Sequence, residues 1–236
     1  MSTIATNIAK VGARIREAAQ AVARDPDEVQ LLAVSKTQPA DAIRQASAAG
    51  QRDFGENYLQ EALAKQAGLS DLPLIWHFIG PIQSNKTKLI AEHFDWVHSV
   101  DRLKIAQRLS EQRPPELAPI NICLQVNVSG EASKSGCNPQ DVPELAQAIA
   151  ALPRLHLRGL MTIPEPTDDS AEQRAAFSRL RQLQGELDLD LDTLSMGMSQ
   201  DLEAAIAEGA TWVRIGTALF GARAYPPQKA PDSPCA

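Results

Sequence analysis

At 236 residues, 44% of them hydrophobic and 22% charged, the chain has the composition of an ordinary soluble globular protein and the length of one large α/β domain. A net charge of −6 argues against a nucleic-acid partner, since grip on a phosphate backbone comes from clustered Lys and Arg. The N-terminus Met1-Ser2-Thr3-Ile4-Ala5-Thr6-Asn7 has no basic region and no later segment has the length to span a bilayer, so no membrane partner and a cytoplasmic address are expected.

In chain order, Ile4, Ile8, Val11, Ile15, Ala18 and Val22 form one apolar stripe, which predicts a helix closed by Asp25-Pro26. The apolar run 31–37 reads as a buried parallel strand that carries Lys36 to the rim of a sheet. There the amine is either a solvated charge or a Schiff-base lysine. Helix 39–49 follows, opened by Pro39 and stopped at Gly50. Asp53-Phe54-Gly55-Glu56-Asn57 leads to a helix near 58–67, and strands 74–80 and 95–100 are each followed by a helix, over 87–93 and 102–113.

Strand 120–128, a polar loop 129–138 and helix 139–151 come next. Strand 157–163, helix 171–187, strand 193–198, helix 200–208 and strand 212–216 complete the alternation. Eight strand–helix units predict a closed (β/α)8 TIM-type barrel with an extra N-terminal helix, ahead of an open doubly wound sheet. Residues 1–223 are read as one domain and 224–236, rich in proline, as a flexible tail. Cys123, Cys137 and Cys235 show neither a CxxC pair nor zinc-like histidine spacing, so no metal site is expected and Cys123 is assigned to the core.

In such a barrel, ligand-handling groups belong at the C-terminal strand ends. Those ends bring up Lys36, Asn57, His77, Gly80, Met161, Ser199, Gly216 and Thr217. Ser199 stands where helix 200–208 should be capped, and Gly216-Thr217 opens a short turn. Either these are plain caps and turns, or together they form a phosphate cradle of free N–H groups. Period two puts Leu32, Val34 and Lys36 on one face, and Trp212, Arg214 and Gly216 on one face. An arginine within Trp212-Val213-Arg214-Ile215 needs an acceptor, either a structural carboxylate or a heteroaromatic ring nitrogen.

Five blocks carry a resemblance: Val34-Ser35-Lys36-Thr37, Phe54-Gly55-Glu56-Asn57, His77 to Lys86, Ser195-Met196-Gly197-Met198-Ser199 and Val213-Arg214-Ile215-Gly216-Thr217. Together they resemble the signature blocks of the pyridoxal phosphate homeostasis proteins, single-domain relatives of the N-terminal barrel of alanine racemase, over about residues 5–223. The resemblance implies a fold-type III barrel that binds pyridoxal 5′-phosphate. It implies an internal aldimine at Lys36, with Asn57 beside the cofactor and Met198 packed against the site. Ser199, Gly216 and Thr217 would hold the phosphate, and Arg214 would face the pyridine nitrogen.

An arginine there does not protonate the ring, which makes a poor electron sink. A racemase also needs a second base, and the β-domain that supplies a tyrosine in alanine racemases has no room before Ala236. The expectation is therefore a binding protein without catalytic residues, a carrier or buffer in vitamin B6 homeostasis that acts as a monomer and meets apo-enzymes transiently. The alternative is a weak racemase-like enzyme acting on amino acids, with Tyr58 as the candidate base and Tyr225 in the tail. A Schiff-base aldolase would want its lysine on the sixth strand, where Leu160-Met161-Thr162 stands instead. Lys134, between Gly130 and Gly136, is either a relay amine on a mobile lid or a solvated charge. The roles of His77 and of Gln83-Ser84-Asn85-Lys86 stay open, with Ser84 or Asn85 as helix caps.

Overall fold

A computed structural model describes residues 3–130 and 135–221. Eight strands close into a barrel in sequence order, every neighbouring pair parallel. They are β1 Gln30–Val34, β2 Asp53–Glu56, β3 Ile75–Phe78, β4 Trp96–Val100, β5 Ile120–Gln125, β6 Leu155–Met161, β7 Thr193–Ser195 and β8 Trp212–Ile215. Closure is made by β1 against β8, where Leu32 lies opposite Arg214. This is the (β/α)8 architecture expected from the alternation.

Side-chain parity sorts the strands into two cores. Leu32, Trp96, Cys123, Met161 and Trp212 point inward and fill the barrel. The alternate positions, Ala33, Phe54, Trp76, Phe78, Val97 and Leu160 among them, pack outward against the helices. Each large apolar side chain buried this way contributes about 1.5–3 kcal/mol, so the outer core is the main source of stability.

The N-terminal helix α1 (Ile4–Ala21) is capped by Thr3, whose hydroxyl accepts from Thr6 N–H at 3.2 Å. It buries Val11, Ile15, Ala18 and Ala19 and packs on α8 (Leu202–Ala207) and α9 (Thr217–Phe220), beside the strand that closes the barrel. Around the rest of the ring run α2 (Ala40–Ala48), α3 (Leu59–Gly68), α4 (Thr87–His93), α5 (Leu103–Gln112), α6 (Val142–Ala150) and α7 (Ser170–Gly185). In α7 the expected stripe is inward, with Phe177 and Leu180 buried and Leu183 against the core; the helix ends at Gly185, and Leu187 meets the core from just past its end.

Three local expectations are corrected. The first strand stops at Val34, and residues 35–38 form a turn closed by Gln38 N–H to Ser35 C=O at 3.0 Å, so Lys36 sits in a turn rather than on a strand. Thr37, at φ +64°, bends the chain there. Ser199 does not cap α8. That helix starts three residues later with Asp201 at its N-cap position, and the Asp201 carboxylate instead accepts from Met198 N–H at 2.5 Å. Neither Ser84 nor Asn85 caps α4 with its side chain, since a 3-10 turn over Ser84–Lys86 runs straight into it.

Candidate functional site

The C-terminal strand ends open into a cleft of about 780 Å3. Lys36, Asn57, Met198, Ser199, Arg214, Gly216 and Thr217 all line it. Its outer wall is the segment from Ile163 to Asp168, and Arg14 reaches it from α1. Arg14 is held in place by paired contacts to Glu203 on α8.

Two buried charges, Lys65 and Glu56, and the partly exposed Glu61 clamp the turn that presents Lys36. Lys65 Nζ donates to Ser35 C=O at 2.8 Å, to Glu56 Oε1 at 2.7 Å and to Glu61 Oε1 at 2.5 Å. Ser35 Oγ donates to Glu56 Oε1 at 2.6 Å, and Thr37 N–H donates to Glu61 Oε1 at 2.6 Å. The residues on both sides of Lys36 are thus fixed by the same network. Glu56 is fully buried, and burial holds its carboxyl above the usual range although Lys65 and Ser35 pull the other way.

Beside the strand that leads to Lys36, the closing strand β8 supplies a second wall. Gly216 ends the closing strand and opens the single turn α9. A Cβ there would stand 3.2 Å from Val34 C=O, so a side chain would crowd the strand that leads to Lys36. The first N–H groups of α9 have no partner within the helix, and Ser199 lines the same cleft. Beside them Asn57 Oδ1 is buried without a hydrogen-bond partner among the described residues. A buried amide oxygen without a partner on a cleft wall can accept a hydrogen bond from a ligand bound there.

Arg214 is the floor. It is 4% exposed, and among the described residues neither a carboxylate nor a ring accepts its hydrogen bonds: Nη1 donates to Ser195 Oγ at 2.9 Å and Nη2 to Thr162 C=O at 2.9 Å. Of the two acceptors weighed from the sequence, the structural carboxylate is not met among the described residues, because parity directs the side chain into the barrel, where the facing positions are Ser195 and the end of β6. Burial draws the guanidinium down to about 10, with the nearby charge of Asp201 opposing, so it remains a cation at neutral pH. Cys123 is a core residue as expected, and burial pushes its thiol up to about 12.

Sequence reasoning left His77 open and assigned nothing to Asp53, His98 or Ser195. The structure joins them: Asp53 Oδ1 to His77 Nε2 at 3.1 Å, His77 Nδ1 to His98 Nε2 at 2.9 Å, and His98 Nδ1 to Ser195 Oγ at 2.7 Å. Both imidazoles are fully buried, and desolvation lowers the pKa of each, His98 well below the ordinary 6.5. His98 shares strand parity with Trp96, so alternation could have placed it inside. Lys134, Tyr225 and the tail from residue 224 lie outside the described residues.

The alanine racemase N-terminal domain model matches residues 6–224. The pyridoxal phosphate homeostasis protein of Pseudomonas aeruginosa is 77% identical over 225 residues, which cover 95% of this chain and 98% of that one. Its namesake in Escherichia coli is 53% identical over 235 residues, covering 95% and 99%. Among solved structures, PipY of Synechococcus elongatus with PLP bound superposes with a TM-score of 0.77 at 46% identity, covering 88% of this chain and all of that one. With a family match and relatives this similar over nearly its whole length, the chain belongs to the alanine racemase N-terminal domain family and, within it, to the pyridoxal phosphate homeostasis proteins.

Proposed function

We propose that this chain binds pyridoxal 5′-phosphate in the cleft as a Schiff base on Lys36, and that it stores, shields and hands over this reactive aldehyde without sustained turnover of amino acids. The observation that carries the reading is the meeting, in one cleft, of a lysine, a buried amide oxygen and a buried guanidinium, the amide oxygen without a hydrogen-bond partner and the guanidinium without a hydrogen-bonded carboxylate among the described residues. The PLP-bound relative supports it.

The residues fit the group. Ser199 and the N–H groups from Gly216 and Thr217 onward would hold the phosphate, because the open end of a helical turn presents donors to a dianion. Asn57 and Met198 would flank the ring, and Arg214 would face its nitrogen. When bound, the group supplies an electrophilic aldehyde and a ring that can draw electrons from attached carbon. Arg214 would donate toward the ring nitrogen but give up no proton, so it would steady the ring without making it a strong electron sink. The network around Lys65 fixes the backbone on either side of Lys36.

The chain would work as a cytoplasmic monomer that meets apo-enzymes transiently. A racemase-like activity would require a base over the cleft, and Tyr58 is 56% exposed and is not among the lining residues. Deuterium exchange at the α-carbon of amino acids in heavy water, lost in Tyr58→Phe, would be its signature.

The deciding experiment is a visible spectrum of the protein mixed with pyridoxal 5′-phosphate, before and after borohydride reduction, with peptide mapping of the trapped amine. A band that disappears on reduction, a single adduct on Lys36, and no band in Lys36→Ala are expected. An adduct that maps to another lysine would sink the assignment.

A further inference from the structure

Behind the cleft a chain of hydrogen bonds crosses the barrel from end to end, through Arg214, Ser195, His98, His77 and Asp53. Asp53 begins β2, at the N-terminal mouth of the barrel, and its side chain is 20% exposed. Arg214 ends the chain at the cleft floor. We propose that Asp53 is the remote counter-ion of Arg214 and a positioning residue for the cleft, its charge carried across the barrel by a hydrogen-bond chain that runs in one direction.

The direction follows from what each group can do. A guanidinium only donates, so Ser195 Oγ accepts from it. A carboxylate only accepts, so His77 Nε2 must carry its hydrogen toward Asp53. His77 Nδ1 is then an acceptor, and His98 Nε2 must carry the hydrogen that meets it. His98 Nδ1 is left as an acceptor, and the hydroxyl hydrogen of Ser195 fills it. Every group is satisfied, and no proton is left over.

The reverse order would also suit Ser195, which has two lone pairs, but it would set an unprotonated His77 Nε2 against the Asp53 carboxylate. The charge of Asp53 therefore selects the direction. In the selected order each imidazole turns its negative end toward Arg214. A buried cation whose direct partners are a hydroxyl and a carbonyl gains a share of a carboxylate it never touches.

The groups around the chain agree with this assignment. His77 faces Asp53 and the charge of Asp95, and is stacked on Trp96 with ring centroids 5.5 Å apart; His98 faces His77 and Arg214. Asp201 is a nearer charge to Arg214, but its carboxylate accepts from Met198 N–H and takes no part in the chain.

Nitrogen-15 NMR of the ligand-free protein tests the proposal directly. Wild type should show His77 and His98 both neutral and both protonated on Nε2. In Asp53→Asn, whose amide can donate as well as accept, the two rings should pass together to the Nδ1-protonated form or to a mixture, and the Arg214 Nη signals should move. Asp201→Asn should leave both tautomers unchanged. Wild-type rings protonated on Nδ1 or on both nitrogens would overturn the proposal, and this measurement stands even if the Asp53 variant does not fold. So would a folded Asp53→Asn protein with unchanged tautomers.

A second arm rests on the function proposed above. Affinity for pyridoxal 5′-phosphate should fall about threefold in Asp53→Asn, and the substitution should have no further effect in a Ser195→Ala background, where the chain is already cut. Equal affinity in wild type and Asp53→Asn would refute the link to the cleft. Absence of binding in wild type would refute the cleft's function and leave the tautomer result to decide the chain.

Discussion

At the scale of single residues, the ion network beside Lys36 is the most exposed to damage by substitution. Lys65 is 7% exposed and Glu56 fully buried, and the remaining oxygen of that carboxylate, Glu56 Oε2, has no hydrogen-bond partner among the described residues. Lys65→Met would strand the Glu56 charge, and the expected loss is about 3–5 kcal/mol in urea denaturation. Glu56→Gln added to Lys65→Met should recover more than half of it, because the uncompensated charge, rather than the lost pair, carries the penalty. A close approach sets the second residue prediction. A Cβ on Gly80 would stand 2.4 Å from Asn57 C=O, a contact only backbone movement can relieve. Gly80→Ala should cost about 2 kcal/mol and lower the thermal midpoint by roughly 4–8 °C in a calorimetric scan. What the sequence disclosed at this scale was parity: it put Lys36, Arg214 and Gly216 toward one opening without any contact being known. What it hid was partnership, since Lys65 with Glu56 and Asp53 with His77 meet through cross-strand register and helix placement, which appear only once the barrel is closed.

Elements were legible where the chain carries a periodic stripe or a backbone stop. Helix 87–93 has the expected bounds, α2 stops ahead of Gly50 at φ +95°, and the centre of the α1 stripe, Val11, Ile15 and Ala18, is buried as read, whereas Ile4 and Ile8 are partly buried and Val22, past the helix end, is exposed. The ends of strands were less legible, because a side chain with a polar partner can bend the backbone within an apolar run, as at Ser35. The proline-rich segment 114–119, read as a loop, shows what holds such a connection. Arg113 at the end of α5 donates to Ala118 C=O at 2.7 Å, and to Ala91 and Phe94 C=O, at the end of α4, at 2.7 and 3.0 Å. One side chain thus ties two helix ends and the loop together. Arg113→Met keeps the apolar stem but strands three carbonyls, and should cost about 3 kcal/mol. Hydrogen exchange should quicken at the end of α4 and across 114–119, with the rest of the barrel protected as before. Faster exchange spread evenly over all strands would instead mean that Arg113 supports the whole fold rather than this corner.

For the molecule as a whole, two neutral histidines inside the barrel tie stability to pH. Desolvation lowers the pKa of His77 below 6.5, with Asp53 opposing, and lowers that of His98 further, with the charge of Arg214 adding to the effect. As pH falls through 6.5 the unfolded chain takes up protons at both positions while the folded barrel does not, so the slope of unfolding free energy against pH is positive there. Each histidine adds about 1.4 kcal/mol per pH unit until its folded pKa is reached, roughly 2.7 kcal/mol per unit for the two together. Other shifted groups act elsewhere or with the other sign. Asp192 and Glu203 are held below their ordinary 3.8 and 4.5 by Arg158 and Arg14, so the stability they contribute is lost in a more acidic window. Glu56, raised by burial, gains as pH falls through its folded pKa, and a Glu56→Gln background removes that opposing contribution. The urea midpoint should therefore hold steady from pH 8 to 7 and fall between 6.5 and 5. In His98→Gln the slope over that interval should drop by about half, because one proton-binding site has gone from the unfolded chain. A slope equal to wild type in that variant would mean that the interior histidines take up protons in the folded state, and that the barrel admits charge where its packing says it does not.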